Sequence, residues 1–328
     1  MNNSIEVIIP ARGSTPWINL SLESIFNQSL DPTRITVIDD GLYNAISVGK
    51  LGKKLFAQRF QLIKNAGHGI SAALNTAIQQ SSAYWIARMD ADDVADPQRL
   101  KKQLDFLNAQ ADGVIGCGTQ ARFINGDGRR LGRSRLPTTW EEILNQIYHR
   151  TSFIHPSLMV RKDALIYTPY RSCMDGAEDV DLILRLVENG KILNLDEALL
   201  DYRLYDTQES FRARAKHTAV QELAFRLARA RQRTSVDPLT VAPELAGNFI
   251  SWRLSDPAYV KTRCFLTAAR YMATHIGGCD LKGFLKLSLT GLKWFPTSPS
   301  SIRLSWRVAR HAGAALLNQT TPFAELNR

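Results

Sequence analysis

Cysteine is scarce: the 328 residues hold four, Cys117, Cys173, Cys264 and Cys279, with neither metal-ligand spacing nor close pairing. That excludes a cysteine metal site and a disulfide scaffold, and reads as reduced, mostly packed thiols of a cytosolic protein. No uninterrupted apolar run approaches the roughly 18 residues that cross a bilayer, so no transmembrane helix is expected. A strand begins within a few residues of the N-terminus, so no signal peptide is expected, and the sequons at Asn27 and Asn318 carry no weight. Internal repeats and long low-complexity tracts are missing. The aromatic signatures of RNA-binding modules are missing too, so the net charge of +10 is not read as nucleic-acid binding. Gly49-Lys50 lacks the glycine spacing and the following Ser/Thr of a phosphate loop. Gly116-Cys117-Gly118-Thr119-Gln120-Ala121 nominally fits G-x-G-x-x-A, but no helix follows, which argues against a dinucleotide fold.

What the chain does have is acid at strand ends. Tyr84-Trp85-Ile86-Ala87-Arg88-Met89 is β-type and runs straight into Asp90-Ala91-Asp92-Asp93. Unpaired ionised carboxylates cost several kcal/mol each on burial, so the cluster belongs where the strand emerges, at its carboxyl end. Open α/β sheets place ligands there. Three like charges so close call for a cation between them, and a hard divalent ion, Mn²⁺ or Mg²⁺, bridging to phosphate suits oxygen donors. The competing reading is a helix N-terminus at Asp96-Pro97, which accounts for Asp96 but not for Asp90. A second strand, Arg34–Ile38, ends in Asp39-Asp40-Gly41, where a carboxylate accepts hydrogen bonds from ribose or base, or simply forms a turn. Glu178-Asp179-x-Asp181 opens a helix, where acids offset the dipole; facing the acidic rim, one of them would take a proton from a hydroxyl. Asn65 and His68 sit in a loop on the same side, His68 reading as a solvent-facing residue, and His155 before Pro156 either packs or lines the site.

Strands alternate with helices through Ile5–Pro10, the helix opened by Thr15-Pro16, Arg34–Ile38, a helix, Phe60–Ile63, the helix Ile70–Gln80 and Tyr84–Met89. This spacing gives βαβ units and a mainly parallel sheet. After the helix Pro97–Ala109, strands at Gly113–Gly118 and Ala121–Ile124 with a hairpin turn at Asn125-Gly126-Asp127-Gly128 make the sheet mixed. A helix near Trp140–Tyr148, a strand Ser157–Arg161, a helix from Gly176 stopping at Gly190 and a strand Ala198–Tyr202 complete the domain. Basic residues crowd after Arg203. Arg212–Arg233, Val260–His275, Leu281–Phe295 and Ile302–Leu317 read as helices, with a linker at 296–301. Trp294-Phe295 beside Lys286 and Lys293, and Trp306 beside Arg303, Arg307 and Arg310, suit an anionic membrane surface, or are solvated faces of ordinary helices.

Taken in order, these stretches resemble family-2 glycosyltransferases with a GT-A fold. The resemblance is carried by Val7-Ile8-Ile9-Pro10, Val37-Ile38-Asp39-Asp40-Gly41, Asn65-x-Gly67 with Ala73-Leu74-Asn75, Ile86 to Asp93, Pro97-x-Arg99-Leu100, His155-Pro156-Ser157 through Arg161, and Ala177-Glu178-Asp179-Val180-Asp181-Leu182-x-Leu184-Arg185. It spans about residues 4 to 206. It implies a GT-A domain over 1–206, a mainly parallel mixed sheet flanked by helices, and leaves 207–328 as a basic helical region. It implies that Asp39 and Asp40 hold the uracil or ribose end of a nucleotide sugar, with Pro10, Arg12, Asn65, Gly67, Asn75, Arg88, Asp90 and Ala91 around that donor. Asp90 and Asp92 form a D-x-D element, Asp92 the direct ligand of Mn²⁺ or Mg²⁺ on the diphosphate and Asp93 in support. Asp179 is implied as general base beside Glu178, with His155, Asp181 and Arg185 on the acceptor side. The implied activity is inverting sugar transfer, from a UDP-type donor to a saccharide or lipid-linked acceptor in surface-polysaccharide synthesis; a cytoplasmic protein is expected, with the basic C-terminal helices as the part that would rest on the inner membrane face. Two departures stand out. Ala11-Arg12-Gly13 replaces the usual Tyr-Asn pair after the first strand, so Arg12 is expected to touch phosphate instead, and Leu42-Tyr43 replaces a small polar residue and an acid. A nucleotidyltransferase and a non-catalytic nucleotide-sugar scaffold are the rival readings.

Overall fold

The computed structural model describes residues 3–13, 16–42, 59–205, 213–257, 259 and 260. The helix expected after Asp40, nearly all of the C-terminal helices expected from Val260 onward, the linker at 296–301, and Cys264 and Cys279 lie outside the described residues. Strand β1 (Ile5–Gly13) pairs in parallel with β2 (Arg34–Leu42) and β4 (Trp85–Arg88), and β2 pairs in parallel with β3 (Phe60–Lys64). Helices α1 (Ile18–Phe26) and α2 (Ile70–Gln80) are the crossovers between them that the described residues contain. Beyond β4 come β5 (Val94–Ala95), α3 (Arg99–Asn108), β6 (Val114–Ile124) and β7 (Arg130–Arg133). Next are α4 (Trp140–Ile147), β8 (Met159–Arg161), α5 (Lys162–Tyr167), α6 (Glu178–Leu186) and β9 (Lys191–Arg203). The sheet runs β3-β2-β1-β4-β8-β6-β9-β5, with β7 on β6 outside that row, and β8 antiparallel to both neighbours. The expected GT-A architecture, a mixed and mostly parallel sheet flanked by helices, is what the chain adopts.

Period-two alternation in β1 splits its apolar residues between two cores. Val7 and Ile9 pack with Leu22 and Ile25 of α1 and Leu100 and Leu104 of α3. Ile8 faces the other way, toward Leu74 and Ile78 of α2 and Val180 and Leu184 of α6. Each fully buried Leu or Ile contributes about 1.5–3 kcal/mol, which fixes the register of the central strands. Glu6 interrupts the apolar run yet is 1% exposed. Thr36 donates to one of its oxygens at 2.5 Å and Ser81 to the other at 2.7 Å, so the carboxylate is satisfied.

Several boundaries differ from expectation. Helix α1 begins at Ile18, after Trp17, and Thr15 lies outside the described residues. The two strands expected around Gly118 are one, β6, because bulges opposite Asn194–Ala198 let it continue past the register shift. The same shifts carry β9 back to Lys191. The glycines of the nominal G-x-G-x-x-A are strand contacts: a Cβ at Gly116 would lie 2.7 Å from the Met159 carbonyl, and one at Gly118 2.5 Å from Asn194 Oδ1.

The basic stretch after 212 folds as α7 (Arg214–Thr234), followed by α8 (Pro238–Val241) and α9 (Leu245–Leu254). Val220, Leu223, Ala224 and Leu227 of α7 join the same core as Ile8 and Val180, so α7 covers one face of the α/β layer. No described helix is long and apolar enough to cross a membrane.

Candidate active site

Strands β1, β2 and β4 are parallel, so their carboxyl ends meet on one rim. The register sets Ala11 beside Asp39 and Ile8 beside Arg88. Asp39 and Asp40 close β2, and Asp90 follows β4 by two residues. Asp39 Oδ1 accepts the N–H groups of Gly41 at 2.9 Å and Leu42 at 2.7 Å, a turn that Gly41 permits with φ +92. Asp40 is engaged through both oxygens, Oδ1 with Asn65 Nδ2 at 2.7 Å and Oδ2 with the Gly69 N–H at 3.2 Å. Asn65 in turn donates to the Gly69 carbonyl and accepts the Gly67 N–H, both at 3.1 Å. Pro10 and Arg12 lie at the end of β1 on this rim, the Arg12 Nε 3.9 Å from Asp40 and its side chain largely in solvent. His68 is exposed, as expected.

The acidic cluster lies at the next strand end. One carboxylate oxygen from each of Asp90, Asp92 and Asp93 lies within 4.8 Å of the others. Asp90 pairs with the Arg88 guanidinium at 2.6 Å. Asp92 Oδ2 accepts the Tyr205 hydroxyl at 2.9 Å, and Asp93 Oδ1 accepts the Arg203 N–H at 2.8 Å. Asp93 is 1% exposed and its Oδ2 has no hydrogen-bond partner. Burial and the charge of Asp90 push Asp92 up to about 6. Burial and its two acidic neighbours push Asp93 well above the usual carboxylate range. Arg88 is itself buried, which lowers its pKa, but the Asp90 charge outweighs this and holds it firmly protonated. Ala91 is buried between the acids. Arg99, fully buried in α3, donates to the Arg88 carbonyl at 2.7 Å and so fixes the strand end; this is the role of the Pro97-x-Arg99 pattern. Asp96 accepts the Gln98 N–H at 3.0 Å in a turn ahead of α3; the helix start expected at Asp96-Pro97 lies later, at Arg99 with Gln98 in the N-cap position.

The third contribution is the start of α6. Glu178 Oε2 accepts the Gly176 N–H at 2.9 Å, and burial together with the Asp179 charge raises Glu178 to about 7. Asp179 is also raised by burial, against the positive charge of Arg88 and the Val180 N–H that its Oδ1 accepts at 2.8 Å.

Four expected contacts are corrected. Asn75 does not present its amide to a donor: Nδ2 donates to the Tyr170 carbonyl at 2.9 Å and Oδ1 accepts the Tyr170 N–H at 3.0 Å. Asp181 is fully buried and Arg185 nearly so, the guanidinium reaching Asp181 Oδ2 at 3.0 and 2.7 Å. They form an interior ion pair, backed by Arg171 at 3.7 Å, and no acceptor surface. His155 is buried, hydrogen-bonded through Nε2 to the Tyr170 hydroxyl at 2.7 Å, and burial and the Arg88 charge keep it neutral. Their side chains support the rim from below.

Sequence reasoning passed over Tyr205, Arg203 and Trp17. Arg203 donates to the Asp92 carbonyl at 2.8 Å, Trp17 packs its ring 4.9 Å from that guanidinium, and the Tyr205 ring lies 4.7 Å from Trp17. No local signal marks them, because Tyr205 meets Asp92 across 113 positions of chain.

The pattern described as glycosyl transferase family 2 matches residues 6–167. The O-antigen biosynthesis glycosyltransferase WbnJ of Escherichia coli is 30% identical over 214 residues, 63% of this chain and 82% of that one. The chain belongs to glycosyltransferase family 2. The amylovoran biosynthesis glycosyltransferase AmsE of Erwinia amylovora is 28% identical over 56% of this chain and 68% of its own. Among solved structures, the mannosyltransferase PcManGT of Pyrobaculum calidifontis, in complex with GDP-Man and Mn²⁺, aligns with a TM-score of 0.52 at 16% identity, covering 96% of this chain and 86% of that one. TarS of S. aureus aligns with a TM-score of 0.51 at 16% identity, over 86% of this chain but 45% of TarS. This glycosyltransferase therefore spans less than half the length of TarS. Those structural likenesses show the GT-A fold.

Proposed function

We propose that this family-2 glycosyltransferase moves a sugar from a nucleotide-diphosphate donor to a hydroxyl of a saccharide or lipid-linked saccharide, with inversion at the anomeric carbon. One observation carries the reading: Asp90, Asp92 and Asp93 each bring a carboxylate oxygen within 4.8 Å of the others, at the rim where the donor-side aspartates of β2 also end. The surface-polysaccharide names of WbnJ and AmsE support that class of product. Nucleotidyl transfer, the first rival, loses ground to membership in a sugar-transfer family.

The donor set fits a divalent cation. Three carboxylate oxygens within 4.8 Å, one of the acids holding a buried oxygen without a partner, repel one another in its absence. Asp92, Asp90 and Asp93 would hold it, and all-oxygen ligation suits Mn²⁺ or Mg²⁺. Bound there, the ion supplies positive charge to the diphosphate leaving group. The chain does the rest. Asp39 and the loop that Asp40 organises flank the nucleoside end, and Arg12, reaching into solvent, contacts phosphate. Asp179 takes the proton of the acceptor hydroxyl, whose oxygen attacks the anomeric carbon as the sugar–phosphate C–O bond breaks on the opposite side. Glu178, raised to about 7, limits the negative charge beside that base at neutral pH. A UDP-sugar is the donor to test first. Docking of the basic C-terminal residues on an anionic membrane surface, at the cytoplasmic face, belongs to the same reading and is tested by flotation with anionic liposomes.

Screening nucleotide sugars for binding with and without Mn²⁺, then for turnover with lipid-linked acceptors, tests the donor and metal. Asp179→Asn should keep donor affinity and lose transfer by at least about 10²-fold. An undiminished rate in that variant removes the proposed base, and absence of turnover with every donor leaves the non-catalytic scaffold as the better reading.

A further inference from the structure

Segment 170–179 ends in the carboxylates of α6 and is stitched along its length to helix α2. The Asn75 amide grips the Tyr170 backbone in both directions. Ser71 Oγ donates to the Arg171 carbonyl at 3.2 Å. Asp175 Oδ1 accepts the Ser71 N–H at 3.3 Å, and a Cβ built on Gly69 would lie 2.2 Å from Asp175 Oδ2. On its other side the same segment meets the C-terminal helices, Arg171 on Asp237 and Gly176 against the His217 ring.

Asp40 holds the opposite flank of Gly69. Its Oδ2 accepts the Gly69 N–H, so a carboxylate from the donor side and one from the base segment clasp the first turn of α2 between them. Gly69 has φ +85, and the absence of a side chain there lets Asp175 approach so closely. The next residue after Asp175 is Gly176, whose N–H orients Glu178. Nothing in the local sequence singles out Asp175.

We propose that Asp175 is a positioning residue for sugar transfer: it locks the segment carrying Glu178 and Asp179 to the α2 terminus that the donor-side Asp40 also holds, so that base and donor are set at a fixed separation. This rests on Asp179 being the base. A base displaced by about 1 Å costs on the order of 10²-fold in rate while the donor still binds.

The test is made on the full chain, reading UDP release from UDP-glucose, or from the UDP-sugar that the screen selects, with a lipid-linked saccharide acceptor. Binding of UDP with Mn²⁺ is followed by calorimetry in parallel. Asp175→Ala should lower kcat about 10- to 100-fold, with donor KM and UDP affinity within about twofold of wild type. Asp175→Asn keeps an acceptor oxygen for the Ser71 N–H and should stay within about threefold of the wild-type kcat. Should Asp175→Ala not fold, Asp175→Glu replaces it: one methylene too long for the space over Gly69, it should show the same fall in kcat at constant donor KM. A wild-type kcat in the Ala or Glu variant, or a loss of UDP affinity as large as the loss in kcat, overturns the positioning role. Asp179→Asn is run alongside. If it keeps full activity, the base assignment has failed; if it is inactive while Asp175→Ala is not, only the inference about Asp175 has.

Discussion

Asp93→Asn should make the metal-free protein more stable while removing its response to metal. In the folded chain Asp93 is buried, has one oxygen without a partner, and stands within 4.8 Å of two other carboxylates. At an effective dielectric of about 20, two unit charges about 4–5 Å apart repel by roughly 3–4 kcal/mol. Asp93 faces two such neighbours, so its full ionic repulsion exceeds what the fold would bear. Uptake of a proton, which the raised folded value favours, caps the penalty whatever that value is. Taking a proton at pH 7 against an ordinary value of 3.8 costs about 4 kcal/mol, at 1.36 kcal/mol per unit. Asn keeps the oxygen that accepts the Arg203 N–H and carries no charge.

The variant should therefore gain about 1–4 kcal/mol at pH 7 in EDTA, a rise of several degrees in Tm. The sign with pH follows from the raised folded value. A carboxyl that holds its proton more tightly in the folded state costs nothing below the unfolded pKa near 3.8; its penalty grows as pH rises from there toward the folded value and levels off above it. The gain in Asp93→Asn must then shrink toward pH 4. Wild type should recover stability on adding Mn²⁺, by about 2.7 kcal/mol at a hundredfold excess over Kd, and the variant by much less. Differential scanning calorimetry at pH 4.5 and 7, with EDTA or Mn²⁺, reads all four conditions. An Asp93→Asn protein that is less stable than wild type at pH 7 in EDTA, or that keeps the full Mn²⁺ shift, refutes the reasoning.

Other consequences are as direct. Asn75→Ala loses two hydrogen bonds to the Tyr170 backbone and should cost about 1–3 kcal/mol of stability with nucleotide affinity nearly unchanged; a selective loss of UDP binding, measured by calorimetry, would restore it as a donor contact. Asp181→Asn strands the buried Arg185 and should destabilise by about 3–5 kcal/mol in urea unfolding, which a surface acceptor contact would not do. Tyr205→Phe removes the hydroxyl that donates to the Asp92 carboxylate at 2.9 Å and should weaken Mn²⁺ binding about tenfold, the typical lower effect of losing a ligand's outer partner. Unchanged Mn²⁺ affinity would make that bond incidental.

The sequence by itself determined the central parallel strands and their acidic ends. Buried parallel strands need near-continuous apolar runs, and carboxylates cannot stay inside them, so Val7 to Pro10, Val37 to Asp40 and Trp85 to Asp93 report both the element and its exit point. Local chemistry also marked the Asn125–Gly128 turn and the acidic start of α6. Tertiary structure alone decided which polar side chains face the rim. Asn75, His155, Asp181 and Arg185 stand in the same stretches as site residues, yet each is consumed elsewhere: Asn75 and His155 by Tyr170, Asp181 and Arg185 by each other, four positions apart on α6. Tyr205, Arg203 and Asp175 make their contacts across 113, 111 and 104 positions of chain. A side chain's direction depends on packing between elements, and that information is not written in the residues adjacent to it.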